Sequence, residues 1–182
     1  MLLNKLKSYP KDKFLIIITI SGIFAVLLIY FLVFIPIERS VDSYGILDFE
    51  FAWNSERAEE ILFAWGNDGR NKQSLAISWD FLYIIGYVSV AVGLILLVSR
   101  RLQGKLQNFG IFMTLSGIIS GIFDFVENIN LILMLETPTS ISSINVFIAS
   151  FSATFKFGFL IAAIVFFLLA LIILIIKKSK KK

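Results

Sequence analysis

The run FGIFMTLSGIISGIFDFVENINLILML, residues 109–135, decides the fold, because its 27 residues contain only two charged side chains. An α-helix rises ~1.5 Å per residue, so this run is longer than the ~30 Å that the hydrocarbon core of a bilayer requires. We therefore predict a membrane-spanning helix. The question is then at what depth in the bilayer Asp124 and Glu127 lie and which residues pair with them.

Three further apolar runs have a similar length, and 58% of the 182 residues are hydrophobic, with a mean hydropathy of +0.86. Soluble domains are nearer 45–50% apolar. We predict an all-α membrane protein, a four-transmembrane-helix bundle forming a single domain over residues 1–182. The predicted spans are residues 14–35, 79–99, 109–135 and 153–176. The first is too long for a signal peptide, and no small-residue cleavage site follows it, so we expect it to be retained.

The distribution of basic residues predicts the orientation, because cytoplasmic loops are enriched in lysine and arginine. Four lysines precede the first span, three basic residues occupy the loop between spans 2 and 3, and five lysines follow the fourth span. The 1–2 loop, residues 36–78, has eight acidic and only four basic residues. Both termini are therefore predicted to be cytoplasmic, with loop 36–78 outside.

The outer loop is expected to contain a short amphipathic helix over residues 55–65. Asn54 is a suitable N-cap, and Gly66 is a plausible stop. The spacing of Ala58, Ile61, Leu62 and Trp65 gives the helix one apolar face, which we expect to lie on the membrane or on the bundle. The preceding DFEFAW, residues 48–53, alternates and is predicted to be a short extended segment with Phe49, Phe51 and Trp53 on one side. After it, a helical pattern runs from about Asn71 into span 2.

Helix rise places the interior charges of three spans at one depth. Asp80 lies 20 residues before Arg100, and Lys156 lies 21 residues before Lys177, so both sit ~30 Å from the cytoplasmic edge. Glu127 reaches a similar height, with Asp124 one turn deeper. The charged residues are therefore expected in one layer near the outer leaflet.

Helical faces define the members of this predicted polar cluster. Asp124, Glu127 and Asn128 are spaced i, i+3, i+4, on the same face as the small residues Gly117, Ser120 and Gly121. On span 2, Asp80, Tyr83 and Tyr87 share a face. The candidate cluster is Asp80, Tyr83, Tyr87, Asp124, Glu127, Asn128 and Lys156.

Three functions are open for this cluster. It could bind a lipid headgroup, a small ligand or a cation, as intramembrane charges commonly do. It could supply paired carboxylates for acid–base catalysis. Alternatively, it could only fix helix packing, with Lys156 forming ion pairs with Asp124 and Glu127. Three carboxylates exceed one lysine, so either a carboxyl is protonated or a further cation joins: Arg57, Arg70 or Lys72, a metal ion, or a cationic ligand.

The chain contains no cysteine and no histidine. This excludes disulfides, thiolate or histidine metal sites, and the usual general base. No cofactor, dedicated metal site or catalytic residue is indicated, and an enzyme is the less favoured interpretation. Membrane lipids are the expected partners, with no nucleic acid.

The ordered motifs DFEFA (48–52), Trp65-Gly66, DFLY (80–83), Asp124-x-x-Glu127-Asn128 and Lys156-Phe157 resemble a family of prokaryotic four-span membrane proteins with no established activity. The resemblance covers about residues 45–157. It implies a membrane protein with these acidic positions, and no activity or cofactor is carried over from it. We expect the plasma membrane of a prokaryote as the location.

Overall fold

The computed structural model describes residues 5–41 and 43–180, so Asp42 and the tail residues Lys181 and Lys182 lie outside it. The protein is all-helical, with 85% helix and no strand in the part described. The helices are α1 (Asp12–Glu38), α2 (Ile46–Glu50), α3 (Ser55–Ser99), α4 (Gly104–Glu136) and α5 (Ser143–Ser179).

Four of these helices, α1, α3, α4 and α5, are long and apolar enough to cross a membrane. Each extends beyond the segment predicted from hydropathy. The fourth begins at Ser143, ten residues before the predicted boundary, because its first turns are polar enough to escape a hydropathy criterion. Within α1, residues Tyr30–Phe34 form a π turn, which holds one more residue than an α turn.

Glycines let the long helices approach closely. A Cβ atom on Gly22 of α1 would lie 2.6 Å from the backbone oxygen of Gly86 of α3. A Cβ atom on Gly121 of α4 would lie 2.5 Å from Val88 Cγ2 of α3. Small residues at such contacts allow backbones to meet. They place α3 between α1 and α4, while α5 packs mainly on α4.

One end of the four helices is covered by residues 46–66, which we call the cap. The helix starting at Ser55 is capped by Asn54, whose Oδ1 accepts a hydrogen bond from Arg57 N at 2.8 Å. Its apolar face is buried, with Ile61 and Leu62 fully inside. They pack with Leu131, Met134 and Val146 from the ends of α4 and α5. The helix breaks at Gly66, whose φ is +59°, and resumes at once instead of near Asn71.

The predicted extended segment at residues 48–53 is wrong. Ile46–Glu50 forms a helical turn and a half, in which Gly45 N donates to the Asp48 carboxylate at 2.9 Å. Phe49 is consequently buried, whereas Phe51 and Trp53 are exposed and contact Phe157 and Phe147 of α5. In a segment of six residues, the alternation of aromatic residues with other residues does not indicate a strand.

The opposite end is basic. Arg100, which follows α3, is buried and donates hydrogen bonds to the backbone oxygens of Leu6 and Pro10 and to Asp12 Oδ1 at 2.7 Å. Leu102 of the α3–α4 turn packs with Ala170 and Leu174 of α5, so the N-terminal segment, this turn and the end of α5 lie together, remote from the cap.

Candidate functional site

Lys156 is the centre of a buried ion cluster at the capped end. Its ammonium donates to Glu127 Oε1 at 2.8 Å, and to Asp124 Oδ1 and Glu50 Oε2 at 3.1 Å each. A lysine ammonium has three N–H groups, so all three are used. The partners come from α2 and α4, and the lysine comes from α5. One side chain therefore joins three elements.

The predicted face of α4 is buried as expected. Asp124, Glu127 and Asn128 are at most 4% exposed. Tyr87 of α3 donates its hydroxyl to Asp124 Oδ2 at 2.8 Å, and Asn128 Nδ2 donates to Asp80 Oδ2 at 2.6 Å. These two bonds connect α3 to the cluster.

Tyr83 sits beside the cluster and contacts it through its ring. The ring centroid lies 6.0 Å from that of Tyr87 and 5.1 Å from that of Phe34 on α1. All seven residues predicted from the sequence thus lie in one neighbourhood. Tyr87, Asp124, Lys156 and Glu127 form one bonded group, Asn128 and Asp80 form a second, and Tyr83 makes a tilted ring contact with Tyr87.

Sequence reasoning missed Glu50. It is only 7% exposed although it belongs to a loop predicted to face outward. In the sequence Glu50 is an acidic residue between two phenylalanines, but only the tertiary packing of the cap brings its side chain to Lys156. Its inclusion raises the imbalance: four carboxylates and one ammonium give a formal charge of −3 when every carboxyl is ionised.

The loop cations named as candidates for neutralising this charge are engaged elsewhere. Lys72 pairs with Asp68 at 2.7 Å, and Arg70 donates to Asn67. Arg57 pairs with Glu60 at 2.7 Å. Of the alternatives left open for balancing the cluster, a loop cation is therefore not the one that the structure shows.

The Arg57–Glu60 pair lies on the outer surface of the cap and has its own hydrogen-bond partner, Tyr44. The Tyr44 hydroxyl donates to Glu60 at 2.7 Å. This bond, followed by the bond from Arg57, lowers the pKa of the Glu60 carboxyl from its ordinary value. The arrangement is solvent-exposed and separate from the buried cluster.

A cavity of about 250 Å³ opens beside the cluster, between the end of α1, α2 and α3. Its described lining includes three carboxylates and no basic side chain. Aromatic and aliphatic residues form the remaining wall, with the amides of Gln73 and Asn128. The lining includes the carboxylates of Glu38, Glu50 and Asp80 and the rings of Tyr30 and Phe34. We call this cavity the acidic pocket.

Glu50 and Asp80 belong both to the ion cluster and to the acidic pocket. Glu50 Oε2 accepts from Lys156 and Asp80 Oδ2 accepts from Asn128. The second carboxylate oxygen of each accepts no hydrogen bond from the described residues. The Glu50 side chain is 10% exposed, so this oxygen is nearly buried and can accept from a ligand in the pocket.

Glu127 Oε2 is also buried, and it has no hydrogen-bond partner among the described residues. Buried polar atoms are usually satisfied, so an orphaned oxygen at the centre of an acidic cluster requires a physical explanation. Three of the carboxylates converge on the Lys156 ammonium, which occupies the centre of the cluster. The residues described contain no group of three or more acidic, histidine or cysteine side chains placed to hold a metal ion.

No family model, curated protein or solved structure matches this chain.

Proposed function

We propose that the chain is an integral membrane protein whose acidic pocket binds a small organic cation from the outer side. The carrying observation is the pocket lining, in which Glu38, Glu50 and Asp80 face a cavity with no lysine or arginine in its described wall. The cluster and the pocket together hold more carboxylates than cations. Excess negative charge near hydrocarbon is costly, and a bound cation offsets that cost.

The aromatic wall favours an organic ammonium over a metal ion. Tyr30 and Phe34 of α1 line the same pocket as the carboxylates. A cation over an aromatic face gains ~0.5–2 kcal/mol, whereas hard metal ions prefer a shell made wholly of oxygen ligands. The pocket combines two carboxylates with available oxygens and two rings, which is the chemistry that recognises amines.

The membrane topology belongs to the same proposal. We infer a four-helix membrane bundle in the plasma membrane of a prokaryote, with both termini cytoplasmic and the cap outside. The support is that basic residues flank one end of four apolar helices, while acidic residues predominate in the loop at the other. The pocket would then lie near the outer leaflet.

A purely structural role is the second candidate, and one observation favours it. Lys156 is saturated by three carboxylates from two elements, an arrangement that suits fixing the cap to the bundle. A structural role accounts for the ion pairs of Lys156. It does not explain the carboxylate oxygens of Glu50 and Asp80 that accept no hydrogen bond from the described residues.

The deciding experiment is thermal unfolding of the purified protein in nanodiscs with increasing tetramethylammonium or propylammonium. A ligand that binds only the folded protein stabilises it, by ~2.7 kcal/mol at 100 times its Kd. We expect stabilisation of the wild type, a much smaller effect in Asp80→Asn, and a retained effect in Asp68→Asn, whose side chain is exposed on the loop. Sodium chloride at matched ionic strength is the salt control. Equal responses to ammonium and sodium would overturn cation binding and leave the structural role.

A further inference from the structure

A second cavity, of about 240 Å³, lies between α1, α3 and α5. It is lined by apolar side chains from all three helices, with Tyr87 as its polar member. Residues that define it are Leu27, Val90, Leu94, Ala163 and Phe167. We call it the apolar cavity. An engineered apolar cavity of about 150 Å³ binds benzene, so a cavity of this size can hold part of one hydrocarbon chain.

The two cavities follow the same seam between α1 and α3. On α1, Leu27 lines the apolar cavity, and Tyr30, one turn later, lines the acidic pocket. On α3, Asp80 lines the pocket and Tyr87 lines the apolar cavity, a separation of ~10 Å along the helix. The Tyr83 ring stands between these levels, against Phe34 and Tyr87.

The π turn of α1 occupies the same junction. It covers Tyr30–Phe34, and both end residues line the acidic pocket. π turns insert an extra residue at a cost in helix regularity and are frequent at functional sites. The two aromatic residues at the ends of the turn therefore both lie beside the acidic pocket, on the α1 side of the seam.

We propose that the ligand of the acidic pocket is an amphiphile, a single-chain amine whose ammonium lies against Glu50 and Asp80 and whose hydrocarbon chain follows the α1–α3 seam into the apolar cavity. This inference rests on the proposed function and specifies its ligand class. Charge complementarity assigns the headgroup, and the shared seam assigns the chain. From Asp80 to Leu94 the seam measures ~21 Å, which requires a long chain.

The test is photo-crosslinking in nanodiscs with a long-chain alkylamine that carries a diazirine near the end of its chain. The matched probe is the alcohol of the same chain, which lacks the charge. We expect the amine to label peptides containing Val90–Leu94 and Ala163–Phe167 at least several-fold more than the alcohol does. Excess propylammonium should compete with the amine.

Variants separate the headgroup from the chain. Asp80→Asn should reduce amine labelling of the apolar cavity. Ala163→Phe, which fills the cavity, should reduce that labelling while propylammonium still stabilises the protein. Leu94→Trp serves the same purpose if Ala163→Phe fails to fold. Ile161→Phe, on the exposed side of α5, should label like the wild type.

Each failure has a distinct meaning. Equal labelling by amine and alcohol would overturn the inference, because ordinary hydrocarbon would then fill the cavity without regard to the acidic pocket. Stabilisation by propylammonium with amine labelling elsewhere would also overturn it, while the proposed function stands. Absence of both stabilisation and amine-specific labelling would overturn the two proposals together.

Discussion

Glu50 and Lys156 are 106 positions apart in the chain, and Glu50 Oε2 lies 3.1 Å from Lys156 Nζ. Both side chains are almost wholly buried. The contact fastens the cap to α5, while the two carboxylates of α4 hold the same ammonium from the other side. A single cation therefore links the cap to both α4 and α5, in addition to the apolar core that they share.

Replacing that cation should destabilise the protein. Lys156→Met leaves the carboxylates without their partner, and breaking a buried pair from one side costs ~3–5 kcal/mol. We expect a clearly lower melting temperature in detergent or nanodiscs. Adding Glu127→Gln or Asp124→Asn should restore part of it, with coupling of ~0.5–3 kcal/mol. Lys105→Met, at an exposed position, is the control. Strictly additive effects for both carboxyls would contradict the pairing.

Glu50→Gln should loosen the cap selectively. The amide loses the charge that attracts Lys156, while α4 keeps its two ion pairs. Hydrogen exchange followed by mass spectrometry should show faster exchange in residues 46–66 and little change in α4 and α5. Glu59→Gln removes a carboxyl from the exposed face of the cap and should leave exchange unchanged. A uniform increase throughout the protein would show that the cap does not open independently.

Trp65 reports on whether the cap is packed. It is 5% exposed, and its indole N–H donates to Tyr44 O at 2.7 Å. In a Trp53→Phe/Trp79→Phe variant, Trp65 is the only tryptophan, and its fluorescence should resist an aqueous quencher. The same variant after denaturation provides the fully quenched reference. Strong quenching of the folded protein would mean that the segment is solvated.

The orientation can be tested by cysteine labelling, because the chain has no cysteine of its own. An impermeant thiol reagent added to intact cells should label Asp68→Cys, whose native side chain is 82% exposed. It should not label Gln103→Cys until the cells are permeabilised. The reverse pattern would contradict the cytoplasmic placement of the termini.

Two identical substitutions test the packing of α1 on α3. Gly22→Ala places a methyl group against the backbone of Gly86, and such overpacking costs ~1–3 kcal/mol. Gly158→Ala meets nothing within 4 Å and should be neutral or slightly stabilising, since alanine favours helix by up to ~1 kcal/mol. Equal melting temperatures for both variants would show that α1 does not pack as described.

Part of this structure followed from the sequence. The rise per residue of an α-helix is constant. The number of residues that separates Asp80, Glu127 and Lys156 from the basic residues at the other end of each helix therefore predicted that the three lie at one level. The spacing of Asp124 and Glu127 gave their shared face for the same reason.

Glu50 could not be placed in this way. It lies in a helix of five residues, too short for periodicity to reveal, and its position depends on how Phe49 enters the core of the cap. The two cavities could not be predicted from the sequence either, because each is the space left between side chains from at least three helices.

The Lys156 cluster also has a consequence for the order in which the chain is made. Ribosomal synthesis proceeds from the N-terminus, so Glu50, Asp124 and Glu127 emerge before the lysine that balances them. Until α5 arrives, Asp124 and Glu127 of α4 lack the ammonium that balances them, and the cap can pack on Leu131 and Met134 of α4 but not on Val146 of α5. A chain arrested before residue 143 would carry carboxylates without their counter-ion and a cap whose apolar face is only partly covered. The complete protein has neither feature.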